Sequence, residues 1–256
     1  MPKVLVIIAA KNAAAWLSQC VQSVLAQRLP SGWELGVAIG IDACPPTLAV
    51  ATQFDTPNLA VRFFPEHVGP YVVFNSLAWA ARPDVLVRFD SDDIMLKDYL
   101  FEQIRLLDLS LGPTIVQTWS IYVDAHLRPC SATLSNGTLT PSDGRRSQPS
   151  DGQFLMTSAV FERFGGFRGW PCHADSEFLQ RAKWSGISTK VVQKYLYLRR
   201  VHYNSLTTSK KTGYYSRIRR RYSKQIGDAC RRYARGDTPE WVYPVIARYA
   251  PVGRLD

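Results

Sequence analysis

Val85-Leu86-Val87-Arg88-Phe89-Asp90-Ser91-Asp92-Asp93 is an apolar run that ends in three carboxylates within four positions. Such a run fits a strand covered on both faces of a parallel sheet, which places the acids at its carboxyl end. Carboxylates this close repel and raise each other's pKa unless a cation neutralises them. A hard divalent ion, Mn²⁺ or Mg²⁺, bridging to substrate phosphates is the natural partner. The alternative is an exposed turn in which Asp92 or Asp93 caps the next helix.

Working outward, Val4 to Ala10 is another continuous aliphatic run, followed by helical spacing of Trp16, Val21, Val24 and Leu25. Leu35 to Ile41 reads as a second strand ending at Asp42, Pro45-Pro46-Thr47 as a helix start, and Val61 to Phe64 as a third strand. Tyr71 to Ala81 is expected to be helical. Alternating strands and helices of this length predict an α/β fold, an open, mostly parallel sheet flanked by helices. Ligands of such sheets sit beyond the carboxyl ends of the strands, where Asn12, Asp42 and Asp90 to Asp93 fall.

Ser131 to Asp151 is rich in Ser, Thr, Gly, Pro and Asn and predicts a long surface loop or lid. Within it, Asn136-Gly137-Thr138 fits a glycan acceptor pattern that has no use in a cytosolic chain. Gly165-Gly166 reads as a turn, Asp175 to Trp184 as an amphipathic helix and Val191 to Leu198 as a strand. From Tyr214 onward, Tyr214, Ile218, Tyr222, Ile226, Ala229 and Tyr233 recur at helical spacing, predicting a helix with one packed face and one cationic face.

The chain has 256 residues and a net charge of +10, enough for one well-buried catalytic core. No apolar stretch approaches the length of a membrane span, and Lys11 and Asn12 end the first apolar run too early for a signal peptide, so a cytosolic protein is expected. Five cysteines without a CxxC pair argue against a zinc cluster or a disulfide framework. Between Ser209 and Arg235, ten Lys or Arg face a single acid, Asp228, so nearly all of the excess charge lies in this segment. An anionic partner is expected there, at Lys210, Lys211, Arg217, Arg220, Arg221 and Lys224.

The segments VLVIIAAKN, IGIDACPPT, VRFDSDDIMLKDYL, GGFRGWPCHADSEFLQRAKWSG and RRVHYNSLTTS, in this order, resemble the GT-A glycosyltransferases of the large family two. The resemblance covers roughly residues 3 to 209. It implies a domain over residues 1–208, with 209–256 as a basic helical extension. It further implies a nucleotide-sugar donor, with UDP the expected nucleotide, held by Ala9, Asn12, Asp42, Arg88, Asp90, Ser91 and Arg200. Asp92, with Asp90 and His202, would hold Mn²⁺ or Mg²⁺. Asp175 matches the catalytic base of inverting members, although as an acid at a helix start it also fits a simple cap, and His202 also fits a structural histidine. Two positions depart from the family's pattern: Ala9-Ala10-Lys11 stands where Pro-Thr-Tyr is usual, and Ala174 where a Glu usually precedes the base.

Two acceptors suit the basic helix. The leading expectation is DNA, of the phage type bearing hydroxymethylated pyrimidines, its phosphates paired with Arg and Lys. The other is a lipid-linked or cell-surface glycan at an anionic membrane surface. A non-catalytic relative that binds nucleotide or nucleic acid is a third reading, although Asp42, Asp90, Asp92 and Asp175 are all present. No obligate protein partner is indicated.

Overall fold

The computed structural model describes residues 1–252 apart from 136 and 137. Asn136 and Gly137 of the glycan acceptor pattern therefore lie outside the described residues. The amino-terminal part alternates as expected: β1 (Lys3–Ala10), α1 (Leu17–Leu25), β2 (Glu34–Asp42), α2 (Pro45–Ala51), β3 (Leu59–Phe64), α3 (Pro70–Ala81) and β4 (Val85–Asp90). Strands β3, β2, β1 and β4 lie side by side in that order, all parallel. The chain steps outward from β1 to β3 and then returns to place β4 on the other side of β1. A crevice opens at such a reversal, at the carboxyl ends of the strands.

The continuous apolar runs divide by alternation into two cores, because successive side chains of a strand point to opposite faces. Val4, Val6 and Ile8 of β1 pack with Val85, Val87 and Phe89 of β4 under α1 and α4 (Tyr99–Ile104). Leu5, Ile7 and Leu86 pack on the other face with Phe74 and Leu77 of α3. Gly40 of β2 is required by this packing, since a Cβ there would stand 2.2 Å from Val73.

The acidic cluster does not cap a helix. It is followed by β5 (Ile94–Met95), and α4 starts after Asp98. Beyond α4 the sheet continues through β6 (Thr114–Val123), which the sequence analysis did not anticipate. The expected surface loop instead carries β7 (Cys130–Ser135), paired with β8 (Thr138–Pro141), and β9 (Arg145–Arg146), paired with β6. Cys130, Ala132 and Leu134 alternate with Ser131, Thr133 and Ser135 as a strand would, but the Ser, Thr, Gly and Pro content around them read as loop, and the paired strands β7 and β8 form a small sheet of their own.

Next come β10 (Phe154–Thr157), inserted antiparallel between β4 and β6, and α5 (Ser158–Phe164). Helix α6 (Ala174–Trp184) and β11 (Ser188–Arg200) follow, with β11 parallel to β6. The expected helix and strand near 175 and 191 are both present.

Residues after 208 form two parts. Helix α7 (Arg217–Tyr233) carries the basic residues, and it packs on the body through Tyr222 stacked on Trp170, with ring centroids 4.2 Å apart. Tyr214 lies before the helix rather than on its packed face. The chain then runs back as a strap whose last strand, β12 (Ala250–Val252), pairs antiparallel with β3. Gly165 lets the strap pass, since a Cβ there would meet Val242 O at 1.7 Å and its φ is +72°. Among the described residues no helix is long and apolar enough to cross a membrane.

Asn75, fully buried on α3, fastens this closure. Its amide donates to Phe167 O (2.8 Å) and Val245 O (3.3 Å) and accepts from Phe167 N (2.9 Å). Asn75→Ala strands buried backbone groups at the base of the strap, each costing about 1–3 kcal/mol. We expect a stability loss of about 3 kcal/mol, measured by denaturant unfolding with an unchanged slope.

Candidate active site

Two cavities adjoin at the carboxyl ends of the parallel strands, one of about 200 Å³ and one of about 410 Å³. Asp90, Arg199, Leu206 and Thr207 line both. Of the residues expected to bind the donor or metal, Ala9, Asn12, Asp42, Asp90, Ser91, Asp92, Arg200 and His202 line the first. Arg88, Asp90 and Asp175 line the second. Lys210, Lys211, Arg217, Arg220, Arg221 and Lys224 line neither and are exposed, with Lys224 paired to Asp228 at 2.9 Å.

Two non-glycine residues lining these cavities lie in the left-handed region, Asn12 (φ 53°) after β1 and His173 (φ 71°) before α6, and Ala43 (φ 48°), next to Asp42, does so too. Backbone strain of this kind concentrates at functional sites, where the surrounding fold enforces it. It turns the chain sharply at each strand or helix end.

Asp42 organises the first cavity's rim. Its carboxylate accepts from Val68 N (2.8 Å) and Gly69 N (3.0 Å) and pairs with His67 Nδ1 (2.7 Å). A carboxylate offers about four acceptor positions, so one remains on Oδ1 for a base.

The four residues of the acidic cluster have separate surroundings. Asp93 turns inward and is 2% exposed, accepting from Arg200 N (2.8 Å) and Gln153. Burial pushes its carboxyl well above the ordinary range, with Asp92 and Asp90 adding to the effect. Asp90 pairs with Arg88 (3.0 Å) and accepts from Gln153 (2.8 Å), and its carboxyl is also raised by burial. Asp92 faces the cavity with His202 Nε2 at 2.8 Å. Ser91 is buried beneath them.

Asp92 and His202 therefore form a hydrogen-bonded carboxylate and imidazole pair that lines the first cavity. Among the described residues no cluster of three or more His, Cys, Asp or Glu side chains is arranged to hold a metal alone. Mn²⁺ and Mg²⁺ commonly take one or two protein ligands and fill the remaining positions from substrate phosphates and water, so a two-donor pair fits a metal that arrives with a diphosphate. Trp16 supports this pair, its ring 5.5 Å from His202 and 4.4 Å from the Arg200 guanidinium carbon.

Arg200 lines the cavity but is engaged elsewhere. Its guanidinium donates to Asp92 O (2.9 Å), Ala125 O (2.9 Å) and Gln19 (2.8 Å). The cation common to both cavities is its neighbour Arg199, which donates to Tyr122 Oη at 2.9 Å. Both line the first cavity and Arg199 alone also lines the second, a distinction that sequence spacing does not carry.

Arg88 links the two cavities. It is 5% exposed, with Asp90 at 3.0 Å and Asp175 at 3.9 Å. Burial opposes its charge, yet Asp90, Tyr71 and Asp175 outweigh burial and raise its pKa. Its Nη1 has no hydrogen-bond partner among the described residues. Asp175 sits in the first turn of α6 rather than at its cap, which is His173, and Asp175 Oδ1 accepts from Ser176 N at 2.8 Å. Gln153, Trp16, His67 and Arg199 are site residues that the sequence analysis did not assign to the site. Only Arg199, beside Arg200, carried a local signal.

With this geometry in view, the chain matches the model of Glycosyl transferase family 2 over residues 5–158. The chain belongs to this family. No curated protein matches it in sequence.

Among solved structures, the family 2 chain is similar to S. aureus TarS 1-349 in complex with UDP: 18% identity, TM-score 0.61, covering 78% of this chain and 61% of that one. The same TarS fragment in complex with UDP-GlcNAc gives 16% identity, TM-score 0.60 and coverages of 79% and 60%. Mannosyltransferase PcManGT from Pyrobaculum calidifontis, in complex with GDP-Man and Mn²⁺, gives 15% identity, TM-score 0.66 and coverages of 95% and 68%. At these identities the likeness establishes the GT-A fold. The chain spans about three fifths of the length of the TarS fragment it matches.

Proposed function

We propose that this family 2 protein is a metal-dependent, inverting glycosyltransferase. It moves a sugar from a nucleotide-sugar, with UDP the favoured nucleotide, to a hydroxyl acceptor. The observation that carries this reading is the adjacency of the Asp92–His202 pair in the first cavity and Asp175 in the second, with Arg88 between Asp90 and Asp175. A diphosphate anchored on the first side puts its sugar toward the second, where a carboxylate can take a proton from the incoming hydroxyl.

A bound Mn²⁺ or Mg²⁺ supplies charge stabilisation for the departing diphosphate. The residues do the rest. Ala9, Asn12 and Asp42 receive the nucleoside, Arg199 places positive charge where the leaving group develops negative charge, and Asp175 serves as base. Attack from the face opposite the leaving group inverts the anomeric carbon. The test is a panel of UDP- and GDP-sugars with Mn²⁺, following release of nucleoside diphosphate. Release from at least one donor that stops with chelator is expected, and release unaffected by chelator removes the metal from the reading.

DNA bearing hydroxymethylated pyrimidines is the acceptor we favour, docked on residues 209–236. In support, the exposed basic residues of this segment adjoin the second cavity through Tyr214 and Arg219. If six of them meet phosphates, retention on duplex DNA should fall about 10³-fold between 50 and 200 mM salt. The measurement is retention on duplex DNA and on anionic vesicles across that series. Binding to vesicles alone would transfer the docking role to a membrane surface.

A further inference from the structure

The second cavity holds more positive charge than transfer to a neutral hydroxyl requires. Arg146 of β9, Arg199 of β11 and Arg219, in the first turn of α7, all line it. Each lies beside a tyrosine ring. The guanidinium carbons of Arg146 and Arg199 lie 5.6 and 5.2 Å from the ring of Tyr122, and that of Arg219 lies 5.3 Å from the ring of Tyr214. Arg219 is fixed further by donating to Thr212 O (2.7 Å) and Leu206 O (3.4 Å).

Among the described residues none of the three forms an ion pair with a carboxylate. The acids of the same cavity are engaged elsewhere: Asp90 with Arg88 and Gln153, Asp151 with Ser176, and Asp175 with Ser176 N and Arg88. Asp90, Asp151 and Asp175 offset part of this charge through space, but among the described residues none of them pairs directly with Arg146, Arg199 or Arg219, which leaves these cations for a ligand anion. Their forked donors match the oxygens of a phosphate, which can accept from several at once. Arg146 and Arg219 line this cavity and not the one containing Asp92 and His202, which separates their anion from the donor's diphosphate.

We propose that the acceptor carries its reacting hydroxyl on a phosphate ester, and that Arg146, Arg199 and Arg219 grip this phosphate while the hydroxyl reaches Asp175. This rests on the glycosyl-transfer reading of Asp175. In the step, the acceptor O–H bond breaks and its proton passes to the Asp175 carboxylate. The acceptor oxygen bonds to the anomeric carbon, and the bond from that carbon to the donor phosphate oxygen breaks, its electron pair leaving on the nucleoside diphosphate. The acceptor's phosphate is untouched and acts as a handle. Phosphodiesters of nucleic acid, lipid headgroups and small phosphate esters share this chemistry.

The test is calorimetric titration of the full chain saturated with UDP and Mn²⁺, so that the donor site is already filled. The probes are inorganic phosphate, glycerol 3-phosphate, glycerol and a glucuronate-bearing disaccharide. Glycerol 3-phosphate is expected to bind and glycerol not to. Arg146→Ala/Arg219→Ala should weaken glycerol 3-phosphate binding by about tenfold or more. Arg146→Lys/Arg219→Lys, which keeps the charge but loses the fork, should retain part of the affinity. UDP affinity should change by less than about twofold, since neither side chain lines the first cavity.

Absence of phosphate binding in the UDP-loaded wild type overturns the proposal, as does preference for the glucuronate. Equal weakening of UDP binding overturns it too, because the arginines would then serve the donor. If UDP itself does not bind, the donor reading fails instead, so the two failures are distinguishable. Competition with a short oligodeoxynucleotide and with phosphatidylglycerol vesicles identifies the source, displacement by either supporting the shared phosphate chemistry.

Discussion

Asp92→Ala is expected to reduce sugar transfer by about 10³-fold, with the fold intact. Asp92 lines the first cavity, and among the described residues its carboxylate has His202 as its hydrogen-bond partner. Asp90 and Asp93 are held by Arg88, Gln153 and the backbone of Arg200. On the proposed reading, removing Asp92 leaves His202 alone to hold the metal, so the diphosphate loses its anchor and the charge that develops on it loses its counterweight. A loss of about 4 kcal/mol of transition-state stabilisation corresponds to that factor. The check is turnover across a Mn²⁺ titration beside circular dichroism. Recovery at high Mn²⁺ would show an affinity defect, whereas wild-type turnover in chelator would refute the assignment. Asp90→Asn should be milder in metal affinity, because that carboxylate is tied to Arg88.

Asp175→Asn is expected to lower turnover by about 10³-fold while leaving nucleotide affinity unchanged. A positioned general base contributes roughly 10²- to 10⁴-fold, and an amide cannot accept the proton. The substitution is nearly isosteric, and its carbonyl can still accept from Ser176 N, so the start of α6 should hold. Asp175 lines the second cavity and not the first, hence the expected split between binding and turnover. Nucleotide binding measured by calorimetry, beside single-turnover transfer, reads both quantities. Unimpaired turnover would remove Asp175 from the role of base.

The parallel half of the sheet was legible because β1, β2 and β4 are buried on both faces and so read as unbroken apolar runs. Their carboxyl ends located Asn12, Asp42 and the Asp90 cluster without any knowledge of neighbours. The hairpin of β7 and β8 was missed because its short apolar and polar alternation, Cys130, Ala132 and Leu134 against Ser131, Thr133 and Ser135, lies in a stretch whose Ser, Thr, Gly and Pro content reads as loop. Gln153 was invisible for a different reason. Its importance lies in touching Asp90 and Asp93, about sixty positions away in sequence, and an uncharged amide in a polar stretch has no signature. Arg199 beside Arg200 shows the limit of a motif: both line the first cavity, but only Arg199 also lines the second, which the motif does not reveal. Asp93 likewise belonged to the motif by sequence, yet the fold turned it into the core.

The strap that returns along α5 and α3 to pair with β3 has a consequence for how such a protein can change. Helix α7 is anchored at both ends, through β11 before it and β12 after it, and is therefore an insert within a closed framework rather than a loose tail. Its exposed face is free to drift, lengthen or be exchanged while the sheet and the donor crevice persist. Changes confined to that one helix leave the parallel sheet and the crevice at its strand ends in place.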